Sequence, residues 1–406
     1  MPVHYCKRRI SMTDQHTLDT GSFSKELLLL VTLLTTESTE KAAERNPELF
    51  KDLDWELFIR LSLHHRVYPF LYPKLSRTPK EFTAVPAAVL ERLKWEYRRN
   101  TVQMLHLSGE MAHISSQLAG LGIRSLFLKG PVLAQDLYGD ISQRTSRDLD
   151  FMVPLERLAE ADMLMAAEGY VKVEDFESIL GDWKWREHHY TYNHPGKNIK
   201  IELHWRMGPG PSTEPDFEEL WSRARRSPLG EHVYFLGRED LFLFLAAHGA
   251  RHAWSRLRWL LDIKQLLAQK PDCTALTALL HRYNYDIIGG QTLILASALL
   301  KAPVDPALSV LMNKPKAKSL AEQALFYVAR MVNLNDPPLE PEVERHYKSY
   351  QPAILTPWHR FLHAASFLYP YAADAKTLPL PKPLHVLYFP LRPFLWTYRK
   401  LTGSEK

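Results

Sequence analysis

Cysteine is almost absent from this 406-residue chain, which carries only Cys6 and Cys273. Two thiols exclude a disulfide framework and a cysteine-built zinc site, and they fit a reducing compartment, so a cytoplasmic location is expected. Long apolar runs are missing too. The longest early one, Leu27 to Leu34 in KELLLLVTLL, falls far short of the roughly 20 residues a membrane-spanning helix needs. The first twenty residues are polar and charged, unlike a secretory signal. Nor is there a block of one charge: 51 lysines and arginines stand against 46 acidic residues, a net +5 spread along the chain, which points to no charged partner. Hydrophobic residues make up 46%, enough for a globular protein of about two or three domains. No internal repeat is present.

The texture of the chain changes along its length. Residues 1–21 read as a flexible polar lead-in, and residues 22–120 as an N-terminal helical region. That region ends in a proline-free stretch from Ala87 to Gly120 expected to form one long helix or two closely joined. Residues 121–236 read as a small α/β core. GIRSLFLKG predicts a strand, PVLAQDLYG a short helix opening at Pro131, RDLDFMV a second strand, and LERLAEADMLMAAEGY a helix stopped by Gly169. YVKVEDF predicts a further strand, and Tyr190 to Trp205 a hairpin about a Pro-Gly turn. After a loop with four prolines, residues 237–335 turn helical again, with a pattern that starts over Glu239 to Lys270, continues to about Leu300, breaks at a proline-containing stretch and resumes from Ala317 to Val332, and residues 336–406 are rich in proline and aromatics. The fold class expected is α+β, a small mixed-sheet core flanked by helical regions.

Within that core, SRDLDF places Asp148 and Asp150 on one side of a strand and Leu149 and Phe151 on the other. Two like charges so close repel unless cations sit between them, and Mg²⁺ favours hard carboxylate oxygens together with substrate phosphates. In NIKIELHW the same parity puts Lys200, Glu202 and His204 on one face and Ile199, Ile201 and Leu203 on the other. If the two strands are neighbours, three carboxylates converge on two metal ions about 3.5 to 4 Å apart, an arrangement suited to phosphoryl or nucleotidyl transfer. The bland reading is that Asp-x-Asp in a strand is a solvated edge. The order strand, Lys-Gly, short helix, Asp-x-Asp favours chemistry.

That order carries a resemblance. FLKGPVLAQDLYGDISQRTSRDLDFMV resembles the nucleotide-binding unit of the DNA polymerase beta-like nucleotidyltransferase superfamily. More narrowly, these residues with IELHW and HGARHAWSRLRWLLDI resemble a bacterial family of uncharacterised nucleotidyltransferases, over roughly residues 23 to 270. The resemblance implies that Asp148 and Asp150 are the metal-binding pair, Glu202 the third carboxylate, and Gly130 the first glycine of a phosphate-facing turn. It implies two Mg²⁺ ions, with Mn²⁺ as an alternative, an NTP substrate, and an acceptor favoured to be a small molecule such as a sugar or surface-polysaccharide precursor, with protein or RNA as alternatives. The helix opening at Pro131 would lend its amides and dipole to the triphosphate. Two departures stand out: Pro131 replaces a common Ser or Gly, removing one hydroxyl and one amide, and Glu202 is one methylene longer than the usual aspartate. They keep open the alternative of an inactive protein that binds nucleotide or a partner.

Other residues divide between chemistry and packing. Lys129 is a candidate charge for the phosphates, and Arg144, Arg147 and Arg256 are candidates for the nucleotide, since guanidinium suits bidentate phosphate recognition. His248 and His252, with His204 or His188 and His189, could be assembled into a zinc site, but HGARH lacks the glutamate of H-E-x-x-H and the histidines read as structural or substrate-contacting. Trp254, Trp259 and an Arg258–Asp262 pair read as core and an i, i+4 ion pair, and Trp183, Trp185 and Tyr190 either stack on an acceptor or a base or serve plain packing. The five prolines of residues 379–401 are expected to break any long amphipathic helix. Packing of this segment on the body is preferred, and contact with a membrane surface is the alternative.

Overall fold

The computed structural model of the chain describes residues 17–77, 84–176, 178–334 and 338–402. Cys6 and most of the expected lead-in lie outside them. The chain divides into two compact units, one comprising residues 1–99 and 242–354 and the other residues 100–241 and 355–406.

The first unit is helical. Its opening helix, Lys25–Thr35, is capped by Ser24 Oγ, which accepts from Leu27 N at 3.2 Å, and buries Leu27, Leu29, Leu30, Leu33 and Leu34. Further on lie Leu257–Ala268, Asp286–Leu300 and Pro315–Ala329. The helical stretch expected from Glu239 to Lys270 is made of two helices, Arg238–Arg251 and Leu257–Ala268. Ala253 and Trp254 take left-handed φ values of 49° and 54°, which end the first helix. The turn folds Trp254 back, fully buried, onto Gly249, where an added Cβ would stand 2.4 Å from the indole. Burying the tryptophan outweighs helical continuity.

The second unit is built on a seven-stranded mixed sheet. Its strands are β1 (Leu126–Phe127), β2 (Asp148–Met152), β3 (Val171–Lys172), β4 (His189–His194), β5 (Ile199–His204), β6 (Arg225–Arg226) and β7 (Tyr234–Phe235), in the order β3-β4-β5-β2-β1-β7-β6. The fold is therefore α+β, with helices before and after the sheet in the chain. Ala87–Gly120 is one continuous helix, and its Met104, Leu107, Met111, Ile114 and Leu118 share a core with Leu149, Phe151, Ile201 and Leu203. Each such side chain contributes about 1.5–3 kcal/mol on burial, so one face of β2 and β5 is held inward. The helix stopped by Gly169 begins as the 3-10 turn Leu155–Arg157 and continues as Leu158–Ala167, with Gly169 at φ 83°. Among the described residues, no helix is long and apolar enough to cross a membrane.

The C-terminal stretch differs from expectation. Despite the prolines, Tyr388–Thr402 forms a 15-residue helix with Pro393 inside it. Pro390 falls in the first turn, where a missing N–H costs no hydrogen bond, and Pro393 forgoes one. The segment also packs on its unit: Arg186 donates to Tyr371 Oη at 2.9 Å and to Ser366 O at 2.9 Å, and Trp185 meets Tyr369 edge-on at 5.2 Å.

Candidate active site

The central strands fix the geometry. β2 and β5 run parallel, with Asp148 beside Lys200, Asp150 beside Glu202 and Met152 beside His204. β4 runs antiparallel to β5 and sets Thr191 beside Glu202 and His189 beside His204. Since side chains alternate, one face carries Asp148, Asp150, Lys200, Glu202, His204 and His189 while the opposite face is the core.

The Lys129–Gly130 turn enters this face from β1. Leu128 N donates to Asp150 O at 2.9 Å, and Lys129 Nζ then stands 2.8 Å from Asp150 Oδ1. Gly130 caps the Pro131–Tyr138 helix with φ 88° and ψ −147°, a conformation that side chains avoid. A Cβ there would meet Leu149 and Asp148 O at ordinary contact distances, so the backbone, not space, calls for glycine.

Asp150 is fully buried, and neither carboxylate oxygen accepts a hydrogen bond. Its contact with Lys129 is an ion pair. Glu202 accepts from Lys200 Nζ at 2.6 Å. Ser146 Oγ donates to Asp148 O at 3.1 Å. His204, also buried, donates from Nδ1 to Arg206 O at 3.2 Å, which aims Nε2 at Asp150 Oδ1, 3.5 Å away, and Glu202 Oε2, 3.6 Å away. At those separations the three groups act on one another through charge more than through a formed hydrogen bond.

Burial pushes the Asp150 carboxyl above its ordinary range; Lys129 opposes the rise and the Asp148 charge adds to it. Burial acts the same way on Glu202, but the His204 imidazole and the Lys129 ammonium outweigh it and hold Glu202 well below the usual carboxylate range. For His204, burial favours the neutral ring, yet Asp150 and Glu202 together raise its pKa. His189 is pulled down to about 4 by burial and the neighbouring His204.

The donor set fits a hard divalent cation. Ligand atoms of Asp150, Glu202 and His204 lie within 4.8 Å of one another. Asp150 Oδ1 is ion-paired with Lys129 while Oδ2 has no partner in hydrogen-bond geometry, the kind of buried acceptor that a cation satisfies, and carboxylate oxygens suit Mg²⁺ or Mn²⁺.

The remaining candidates are dispersed, with Arg147 alone next to the carboxylates. Arg144 is buried and donates to Thr145 O at 3.3 Å, while Arg147 is exposed beside Asp148. Arg256 belongs to the first unit, where it donates to His64 Nδ1 at 2.7 Å. His248 and His252 pack against Trp259 with ring centroids 5.5 and 5.4 Å away. Trp183 and Tyr190 each pack on Trp205 at 5.0 Å. Lys200 was not singled out, and His204 and His189 were named only beside His248 and His252, although the parity that exposes Glu202 exposes Lys200 and His204 with it.

A family described as "Uncharacterised nucleotidyltransferase" matches residues 51–301, more than half of the chain and the whole of the sheet. No curated protein and no solved structure matches.

Proposed function

Because the chain belongs to the uncharacterised nucleotidyltransferase family, we propose that it transfers an NMP group from an NTP to a hydroxyl or phosphate acceptor, releasing pyrophosphate. The observation that carries this reading is the parallel register setting Asp150 beside Glu202, with Asp148 on the same face and the Lys129–Gly130 turn hydrogen-bonded alongside. Asp148, Asp150 and Glu202 would hold Mg²⁺ or Mn²⁺. A divalent cation so held supplies Lewis-acid stabilisation of the charge that develops on the transferring phosphoryl group.

The protein's own groups do the rest. Gly130 and the amides that open the Pro131–Tyr138 helix face the triphosphate with the positive end of the helix dipole. Lys129 balances the Asp150 charge and supplies a cation for the phosphates in place of the hydroxyl and amide that Pro131 removes. Glu202, steadied by Lys200, positions the acceptor. Arg147 offers a guanidinium at the mouth of the site. A small sugar or polysaccharide precursor is the favoured acceptor, because the chain has no basic stripe for RNA.

The test is Mg²⁺-dependent release of pyrophosphate from each NTP, with candidate acceptors, by the wild-type chain and by Asp148→Ala. Release that disappears in the variant supports transfer. NTP binding that requires Mg²⁺ but yields no pyrophosphate with any acceptor supports an inactive binding protein, the reading that Lys129 on Asp150 favours.

A further inference from the structure

Beside the carboxylates lies a second group of ligating atoms with different chemistry. Nitrogens of His188, His189 and His204 all lie within 4.8 Å of one another, and their ring centroids are 4.3, 5.4 and 4.9 Å apart. Register creates the cluster: His189 faces His204 across the β4–β5 ladder, and His188 is the residue before β4, held by its carbonyl, which accepts from Trp205 N at 3.0 Å. Packing alone does not account for the orientation. His204 is only 3% exposed, and its Nδ1 is committed to the Arg206 carbonyl, the arrangement that fixes Nε2 as the ligating nitrogen in metal-bound histidines. His204 Nε2 and His189 Nδ1 are buried and make no hydrogen bond. The pairs His64–His65 and His248–His252 also bring rings together, yet among the described residues neither gathers a third ligand.

We propose that His188, His189 and His204 bind a borderline divalent cation of the Zn²⁺ class beside the carboxylates, with His204, which both groups could use, given to this site and the hard cation left to Asp148, Asp150 and Glu202. Imidazole nitrogens favour Zn²⁺ where carboxylates favour Mg²⁺. Tetrahedral bonds of about 2.0–2.1 Å call for nitrogen spacings of about 3.4 Å, which ring rotations reach from the observed spread. The cation ties the start of β4 to the end of β5, and so fixes the ring that faces Asp150 and Glu202. This site does not depend on nucleotidyl transfer.

The test uses the metal-stripped full chain titrated with Co²⁺, read by its visible d–d absorption, with Zn²⁺ as competitor. One equivalent is expected to bind and be displaced by Zn²⁺. A His188→Asn/His189→Gln double variant loses more than the roughly 10–100-fold in affinity that removing an outer-shell partner costs. Asp148→Asn, outside the cluster, retains Co²⁺ binding while losing Mg²⁺-dependent NTP binding, which separates this proposal from the proposed function. Melting in EDTA confirms that the variants fold; if the double variant does not, His188→Asn alone is read the same way. Unchanged Co²⁺ affinity in the histidine variant, or equal loss in Asp148→Asn, overturns the site.

A separate observation concerns the C-terminal segment. Thirteen of the twenty-two exposed large apolar side chains among the described residues fall between Trp358 and Leu401. In the Tyr388–Thr402 helix Arg392 and Arg399 are buried against Asp374 together with Tyr388 and Leu395, while Phe394 is 73% and Leu401 84% exposed, with Trp396 and Tyr398 also outward. Asp374 is the only acidic residue in described residues 355–402, and it is buried; the exposed charges, Arg360, Lys376, Lys382 and Lys400, are all positive. Aromatics interleaved with exposed cations match an anionic lipid interface.

We infer that this surface docks on an anionic bilayer. The probe is co-sedimentation of the full chain with phosphatidylcholine vesicles containing about one third phosphatidylserine, an anionic lipid that recruits basic surfaces. Binding is expected, reduced by salt and by omission of phosphatidylserine, and lost in Phe394→Ser/Trp396→Ser/Leu401→Ser at an unchanged melting temperature. Equal binding by the variant, no binding by wild type, or a dimer in light scattering that the same variant dissolves overturns it, the last by making a second copy the occupant.

Discussion

Asp150 and Asp374 are both carboxylates with no solvent exposure, in the same structural unit, and they are treated in opposite ways. Asp374 is complete: Arg392 donates to Oδ2 at 2.7 Å, Arg399 to Oδ1 at 2.8 Å, and Tyr371 N to Oδ2 at 2.8 Å. Asp150 has one lysine beside it and no hydrogen bond on either oxygen. Folding alone explains the first, since a buried ion pair is stable when its remaining lone pairs are satisfied. It explains the second less well, because Lys129 balances the charge at Oδ1 while Oδ2 stays without a hydrogen bond, and a buried acceptor left unmade costs stability. The difference separates a carboxylate that fastens a chain segment from the one proposed above to hold a cation.

Five substitutions and one pH series sharpen or break this contrast. The largest effect falls on chemistry: Asp148→Ala is expected to lower Mg²⁺-dependent pyrophosphate release by at least about a hundredfold, the several kcal/mol of charge stabilisation that a held cation supplies. Residual release near the wild-type rate would remove Asp148 from the site. Next is Asp374→Asn, which strands two buried arginines and is expected to cost about 3–5 kcal/mol in urea denaturation followed by tryptophan fluorescence, with or without Mg²⁺.

Gly130→Ala forces a side chain into a backbone region that glycine alone adopts easily, costing about 1–3 kcal/mol. NTP binding should weaken with it if the turn faces phosphate. A change below the error of denaturation would mean that the turn relaxes.

The histidines extend the contrast to the first unit. His64 is half-buried but complete, donating from Nε2 to Ser255 O at 3.2 Å and accepting from Arg256 at Nδ1. Burial, and then the Arg256 charge, pull its pKa down to about 3. The unfolded chain takes up the proton first as pH falls, so this stability is full above about 6.5 and is lost progressively toward pH 3, by up to about 1.4 kcal/mol per pH unit. Denaturation midpoints across that window check it, and His64→Asn should flatten the slope. The smallest effect is expected for Asp150→Asn without metal. It removes a charge that burial disfavours, while the partly exposed Lys129 keeps access to water, so stability stays within about 1 kcal/mol of wild type. A loss as large as that of Asp374→Asn would erase the distinction.

Much of this was legible in the chain itself. Period-two alternation in RDLDFMV and NIKIELHW gave both strands and the shared face, because one side of each is strictly apolar. Pro131 marked the first turn of its helix, and the proline-free run from Ala87 to Gly120 its length. What was not legible depends on tertiary contact. β6 and β7 are two-residue strands with no pattern of their own; β7 exists because it pairs with β1. The Ala253–Trp254 turn follows from the burial of one indole. The Tyr388–Thr402 helix hid behind its prolines and behind an inverted distribution of arginine and aromatic residues. At the site, sequence parity placed Glu202 and His204 together, but the approach of His188 and His189 required the β4–β5 register.

The central claim is that Asp150 is left open for a divalent cation that carries nucleotide, and calorimetric titration of the full chain with each NTP, in Mg²⁺ and in EDTA, tests it most directly. For at least one NTP the account predicts binding in Mg²⁺ that weakens by at least about tenfold, or 1.4 kcal/mol, in EDTA and equally in a folded Asp150→Asn variant. The same affinity for that NTP in all three conditions would contradict it.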